Sequence, residues 1–68
     1  MSANKEKQIK VMCQQIVCLV NMAEQTADKV AVELFYNEEQ AEAWHTRYKH
    51  LVNRIHKLED KLHTLTDA

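Results

Sequence analysis

Histidine, aspartate and cysteine side chains are the groups in this chain that could bind a metal ion or act as nucleophiles. His56, Asp60 and His63 are spaced i, i+4 and i+7, so a helix would place them on one side. Two helical turns, roughly 10 Å, separate the two histidines, which is too far for one tetrahedral ion. We expect these side chains, together with His45 and His50, to be solvated, and we expect no metal and no cofactor.

The two cysteines, Cys13 and Cys18, are five residues apart. A helix turns by ~140° over that spacing, which keeps the sulfur atoms too far apart for an internal disulfide. No histidine or basic residue lies three or four positions from Cys18, so nothing there activates the thiol. A chain of helices also offers no cleft that would enclose a small molecule. We therefore expect reduced cysteines, no catalytic residue and no small-molecule substrate.

A line of basic residues, the basic stripe, recurs at spacings of 3, 4, 3 and 4 and so shares one helical side. Its members are Arg47, His50, Arg54, Lys57 and Lys61. Such a line can neutralise the phosphates of RNA or bind an acidic helix. It can equally be the solvated flank of a coiled coil, paired with acids such as Glu33 or Glu59. The net charge of -1 and the lack of an aromatic residue within the stripe favour the flank.

The elements that hold these side chains must be helices, because the 68-residue chain contains no Gly and no Pro. Strand hairpins and Gly-rich phosphate loops depend on those residues. The predicted fold class is all-α. One core at this length supplies only ~3–5 kcal/mol of net stability, so we expect a partner or a second copy.

A heptad repeat runs through the chain, as in helices that pack side by side. Of the seventeen a and d positions between Ile9 and Leu65, only Asn37 is polar. The d positions are Ile9, Ile16, Ala23, Val30, Asn37, Trp44, Leu51, Leu58 and Leu65, and the a positions are Cys13, Val20, Ala27, Leu34, Ala41, Tyr48, Ile55 and Leu62. These rows are predicted to form the seam between two helices.

Asn37 decides between two architectures. The run Asn37-Glu38-Glu39-Gln40 is typical of a helix start, which predicts a two-helix antiparallel coiled-coil hairpin with its turn near residues 36–40. Residues 1–68 would form one domain, with a first helix over about 4–35 and a second over about 38–66. The alternative is one long continuous coiled-coil helix of roughly 90 Å. The missing Gly favours that alternative, because Asn37 would have to adopt the left-handed conformation that usually ends a helix.

The first half of the chain has a wider apolar face than one antiparallel partner can cover. Phe35 and Tyr36, with Trp44 and Tyr48, are expected to close the turn end, or else to form a partner-binding patch. The predicted partner-binding residues are Met12, Val17, Cys18, Leu19, Val32, Phe35 and Tyr36. We expect them to complete a bundle, either as a homodimeric four-helix bundle or with a helical protein partner.

Two functions fit these patterns. The first is a small non-enzymatic protein–protein interaction module, such as an adaptor, co-chaperone or regulatory inhibitor, acting through an apolar helical face. The alternative is a homodimeric RNA-binding regulator that uses the basic stripe. The longest apolar stretch, residues 16–20, is far too short to span a membrane, and no signal peptide is recognisable. We therefore expect a cytoplasmic protein without a membrane partner.

Overall fold

Two helices packed along their length form the fold in the computed structural model, which describes residues 3–67. Helix α1 spans Ala3–Tyr36 and helix α2 spans Glu38–Thr66, and no strand occurs in this range. The hairpin is a rod 51 Å long. The predicted all-α hairpin is confirmed, and the alternative of one continuous helix is wrong. Residues 1, 2 and 68 of the predicted domain lie outside the described residues.

The chain reverses at the single residue Asn37. Its N–H donates to the Glu33 carbonyl (2.7 Å), which completes α1, and its carbonyl accepts from Ala41 (3.0 Å), which begins α2. Its side-chain Oδ1 also accepts from the Gln40 N–H (3.4 Å), as in an N-cap. The backbone of Asn37 is extended, with φ -158° and ψ 101°. Asn37 therefore does not adopt the expected left-handed conformation. Its extended backbone and its N-cap side chain join the two helices instead.

The seam of α2 follows the predicted heptad. Ala41, Leu51 and Ile55 are buried, and the rest of the row is half-buried: Trp44, Tyr48, Leu58, Leu62 and Leu65. Because every a and d position of α2 faces α1, the sequence pattern located this side of the interface correctly.

The seam of α1 is rotated by one position from the predicted one. The d row faces α2 as expected. The second row that faces α2 lies three residues later in the chain and consists of Met12, Leu19, Thr26 and Glu33. The predicted a row of Cys13, Val20, Ala27 and Leu34 is exposed. This change corresponds to a rotation of α1 by about 50° around its own axis. It is possible because apolar residues flank the d row on both sides.

The core is small and lies in the middle of the rod. Leu19 and Ala23 of α1 pack against Leu51 and Ile55 of α2, and Ile16, Tyr48 and Leu58 pack around them. Thr26 is also buried, and its hydroxyl donates to the Met22 carbonyl one turn earlier (2.8 Å). A core of this size leaves the hairpin with a small margin of stability. Neither described helix is long and apolar enough to cross a membrane.

Candidate functional site: an uncovered helical seam

A second apolar row, here called the outer seam, runs along α1 beside the buried one. Its members recur at spacings of 4 and 3: Cys13, Val17, Val20, Glu24, Ala27, Ala31 and Leu34. All are exposed, and Val17 and Leu34 show 58% and 63% of their surface to solvent. Only Glu24 is polar. The 4-3 spacing is the one by which helices pack side by side, so α1 presents one covered seam and one uncovered seam.

One broad side of the hairpin combines the outer seam with a row of α2. Leu34 shares a shallow groove with Glu38, Glu42 and His45 near the turn. Cys13 shares another with residues near the open end, namely Glu59, Leu62, His63 and Thr66. Residues 38, 45, 52, 59 and 66 are seven apart and therefore form one row, which contains Val52 at its middle. This side is apolar along α1, and the charged residues that it carries along α2, Glu38, Glu42 and Glu59, are acidic.

The basic stripe lies on the other broad side. Arg47 shares a groove with Met22, Gln25 and Lys29 of α1, and Arg54 shares one with Val11, Gln15 and Cys18. Every stripe member is exposed, and none forms an ion pair with a carboxylate within the described range. The expected pairing with Glu33 or Glu59 is therefore absent there. The Arg47 guanidinium instead lies 5.6 Å from the centre of the Trp44 ring, as in a cation–π contact.

The predicted partner-binding residues do not form one surface. Leu19 belongs to the core and Met12 lies half-buried in the seam between the helices, so neither is free to bind a partner while the hairpin is closed. Val17 lies in the outer seam. Cys18 and Val32, fourteen residues apart in one row, lie toward the side of the basic stripe.

The aromatic residues at the turn divide into two pairs. Phe35 and Tyr36 are 87% and 84% exposed, so they do not close the turn end as expected. Trp44 and Tyr48 are half-buried in the seam, and Tyr48 packs against the core. Two large exposed aromatic side chains are typical of a binding surface. Phe35 follows Leu34 directly and extends the apolar surface at that end of the outer seam.

The titratable side chains show no catalytic arrangement within the described residues. Both cysteines and all four histidines are exposed. His63 Nδ1 lies 3.5 Å from Asp67 Oδ2 on the surface. Between residues 3 and 67, no three histidine, cysteine or acidic side chains come close enough together to hold a metal ion.

Sequence reasoning missed most of the outer seam because it assigned the a row to the core. Cys13, Val20, Ala27 and Leu34 were expected to face α2, and only Val17 was expected to face a partner. The spacing of Val17, Val20, Ala27 and Ala31, which is 3, 7 and 4 residues, was the signal that could have found it. The same spacing is found in a second helix-packing seam and in a single wide apolar face.

Comparison with protein-family models, with curated proteins and with solved structures finds no match for this chain. Its function is therefore inferred from the exposed faces of the hairpin.

Proposed function

We propose that this chain is a non-enzymatic protein–protein interaction module whose outer seam packs against a helix from outside the hairpin. The observation that carries the proposal is the second 4-3 row of α1, because α2 covers only the first row. A helix with two adjacent apolar seams is typical of bundles of three or more helices. An adaptor, a co-chaperone or a regulatory inhibitor would use such a surface. A cytoplasmic location stays a prediction.

The accessible surface of the hairpin supports this role. It amounts to 5517 Å² for a mass of 8.0 kDa, against about 4,450 Å² for a compact monomer of that mass. The excess is about 1,000 Å², close to the roughly 800 Å² that each partner buries in a standard interface. Burying a side chain such as Val17 or Leu34 contributes about 1.5–3 kcal/mol. The outer seam is where this surface is both apolar and continuous.

Site-specific photocrosslinking in the cell tests the proposal. A photoreactive residue at Val17 lies in the outer seam, and the same residue at Asn53 lies on the exposed outer side of α2. We expect discrete adducts at Val17 and none at Asn53. Adducts at Val17 should be lost when Val20→Glu places a second charge in the seam. The masses of the adducts distinguish a second copy from another protein.

Two outcomes would contradict the proposal. One is the same adduct pattern at Val17 and Asn53. The other is a set of Val17 adducts that Val20→Glu leaves unchanged, although circular dichroism shows the hairpin intact. Val20 is exposed, so this substitution does not disturb the contact between the helices.

The basic stripe favours a second candidate function, which is RNA binding. Five cations, Lys29 and the arginine and lysine residues of the stripe, share one side of the hairpin, and among the described residues no acidic residue lines the two grooves on this side. The stripe extends over about 21 Å of helix. A dimer would present two such sides, as in a regulator built as a four-helix bundle. Unpaired cations on one side of a protein attract phosphates.

Fluorescence anisotropy with labelled RNA tests this candidate. The double substitution Arg54→Ala and Lys57→Ala should weaken binding and reduce its salt dependence. Lys10→Ala together with Lys49→Ala is the matched control, because it also removes two positive charges and both lysines are exposed outside the rows of the stripe. Equal effects of the two variants would contradict a role of the stripe. Absence of binding at low salt would exclude the candidate.

A further inference from the structure

We infer that the outer seam is covered by a second copy of this chain, packed antiparallel so that the turn end of each hairpin lies over the open end of the other. The inference rests on the proposed function and names the partner. The charges of the two ends of the rod support it, as do the residues that the antiparallel arrangement brings together.

Charge complementarity sets the orientation. The half of the rod next to the turn, residues 24–50, has six acidic and three basic side chains, a formal charge of -3. The open half carries +2 within the described residues. Hairpins with their turns at the same end would place like charges together. The antiparallel arrangement places each negative half over a positive half, which favours it.

The residues of α2 indicate where the two-fold symmetry axis of the antiparallel dimer lies. The row that faces the second copy contains Glu38, His45, Val52, Glu59 and Thr66. Val52 is its only apolar member, and His45 and Glu59 each lie two turns from it. An axis at Val52 places the two Val52 side chains in contact with each other. It also places His45 of each copy beside Glu59 of the other, and Glu42 near His63.

The same axis gives suitable pairs along α1. Met22 and Val52 are each fifteen residues from Asn37, so they lie at one height in the hairpin. An axis at that height pairs Val17 with Ala27 of the second copy. It also pairs Cys13 with Ala31. Each contact joins a larger side chain to an alanine, which keeps the layers even in volume.

Glu24, the one charged member of the outer seam, does not oppose this arrangement. It falls next to Val20 of the second copy, in the row at the outer edge of the interface. Its methylene groups can cover Val20 while the carboxylate reaches water. No two glutamates of the outer seam meet across the axis.

The mass of the purified chain in solution is the first measurement. Sedimentation equilibrium from 1 to 200 μM, on the order of the range in which such interfaces associate, should show a dimer. Val20→Glu should return the chain to a monomer with its helix content unchanged. A folded monomer throughout this range would overturn the inference. The proposed function would still stand if Val17 then crosslinked to a different protein in the cell.

Disulfide formation at the axis is the second measurement. In a background with Cys13→Ala and Cys18→Ala, Val52→Cys should oxidise to a covalent dimer, because only a residue at the axis meets its own copy within disulfide distance. Asn53→Cys is the matched control, since it points away from the interface, and should stay reduced. A dimer in which Val52→Cys does not crosslink would overturn the orientation.

Changing the charges of His45 and Glu59 tests whether these residues meet across the dimer interface. His45→Lys together with Glu59→Lys should raise the dissociation constant of the dimer roughly tenfold, because lysines of the two copies then repel each other at both pairs. His45→Glu together with Glu59→Lys should restore the original value, since each new glutamate then meets a lysine of the other copy. In an arrangement with the turns at the same end, His45 and Glu59 do not meet, so failure of this rescue would contradict the antiparallel arrangement.

Discussion

Leu19 and Val20 are adjacent in α1 and belong to different interfaces. Leu19 is 7% exposed and packs in the core that contains Ile55, whereas Val20 is 37% exposed in the outer seam. The boundary between the covered and uncovered seams of α1 therefore runs between two consecutive residues. Their contributions to hairpin stability should differ accordingly.

Leu19→Ala should destabilise the hairpin by about 2–4 kcal/mol, because it removes buried methyl groups and leaves a cavity. Val20→Ala should cost less than about 1 kcal/mol, since its side chain does not face α2. Urea denaturation followed by circular dichroism, at a concentration where the chain is monomeric, measures both. Equal losses would show that the a row faces α2 after all.

The rotation of α1 shows where the sequence pattern was informative and where it was not. In α2 only the a and d rows are continuously apolar, so burial could be predicted residue by residue. In α1 the rows containing Cys13 and Met12 both flank the d row, and both are apolar over two turns. Periodicity does not choose between them. The choice depends on the path of the chain at Asn37 and on how side chains fill the core.

Asn37→Ala should destabilise the hairpin by about 1 kcal/mol, because it removes the side-chain acceptor for the Gln40 N–H. Alanine also favours helix at the turn, which promotes opening into a continuous helix. Small-angle X-ray scattering detects that opening, since the radius of gyration is 15.6 Å for the hairpin. A rod of the same residues would have about 28 Å.

Asn37→Asp is the control for the cap. Aspartate retains the acceptor oxygen and is as good an N-cap residue as asparagine. The Asn37→Asp variant should be about as stable as the unchanged chain. If aspartate and alanine caused the same loss, the side chain of Asn37 would have no role as a cap.

Thr26→Val should leave the stability unchanged or raise it by up to about 1 kcal/mol. The Thr26 hydroxyl donates to the Met22 carbonyl, which also takes part in the hydrogen bonding of the helix. Replacing the hydroxyl by a methyl group therefore leaves no buried group without a partner and adds apolar contact in the seam. Thr46→Val is the matched control, because the Thr46 hydroxyl donates the same type of hydrogen bond to the Glu42 carbonyl (3.1 Å) at an exposed position. A greater loss for Thr26→Val than for Thr46→Val would contradict the prediction.

The candidate site was predictable only in outline. The excess apolar surface of the first half indicates a partner, and the basic residues at 3 and 4 spacing indicate a common side. Whether Leu19 or Val20 faces the partner depends on the rotation of α1, which the heptad leaves open. The heptad also does not show which α1 residues lie beside Arg54; in the structure they include Val11, Gln15 and Cys18, none of which is acidic.

Phe35→Ala and Tyr48→Ala should have unequal effects, because the two aromatic side chains near the turn have different surroundings. Phe35 is exposed at the end of the outer seam, so its removal should change hairpin stability by less than about 0.5 kcal/mol. Tyr48 packs against the core, and its truncation should cost at least about 2 kcal/mol. Thermal denaturation of both variants at low concentration measures the difference. If Phe35 instead closed the turn end, its loss would approach that of Tyr48. If Phe35 extends the binding surface, Phe35→Ala should weaken association while leaving the monomer as stable as before.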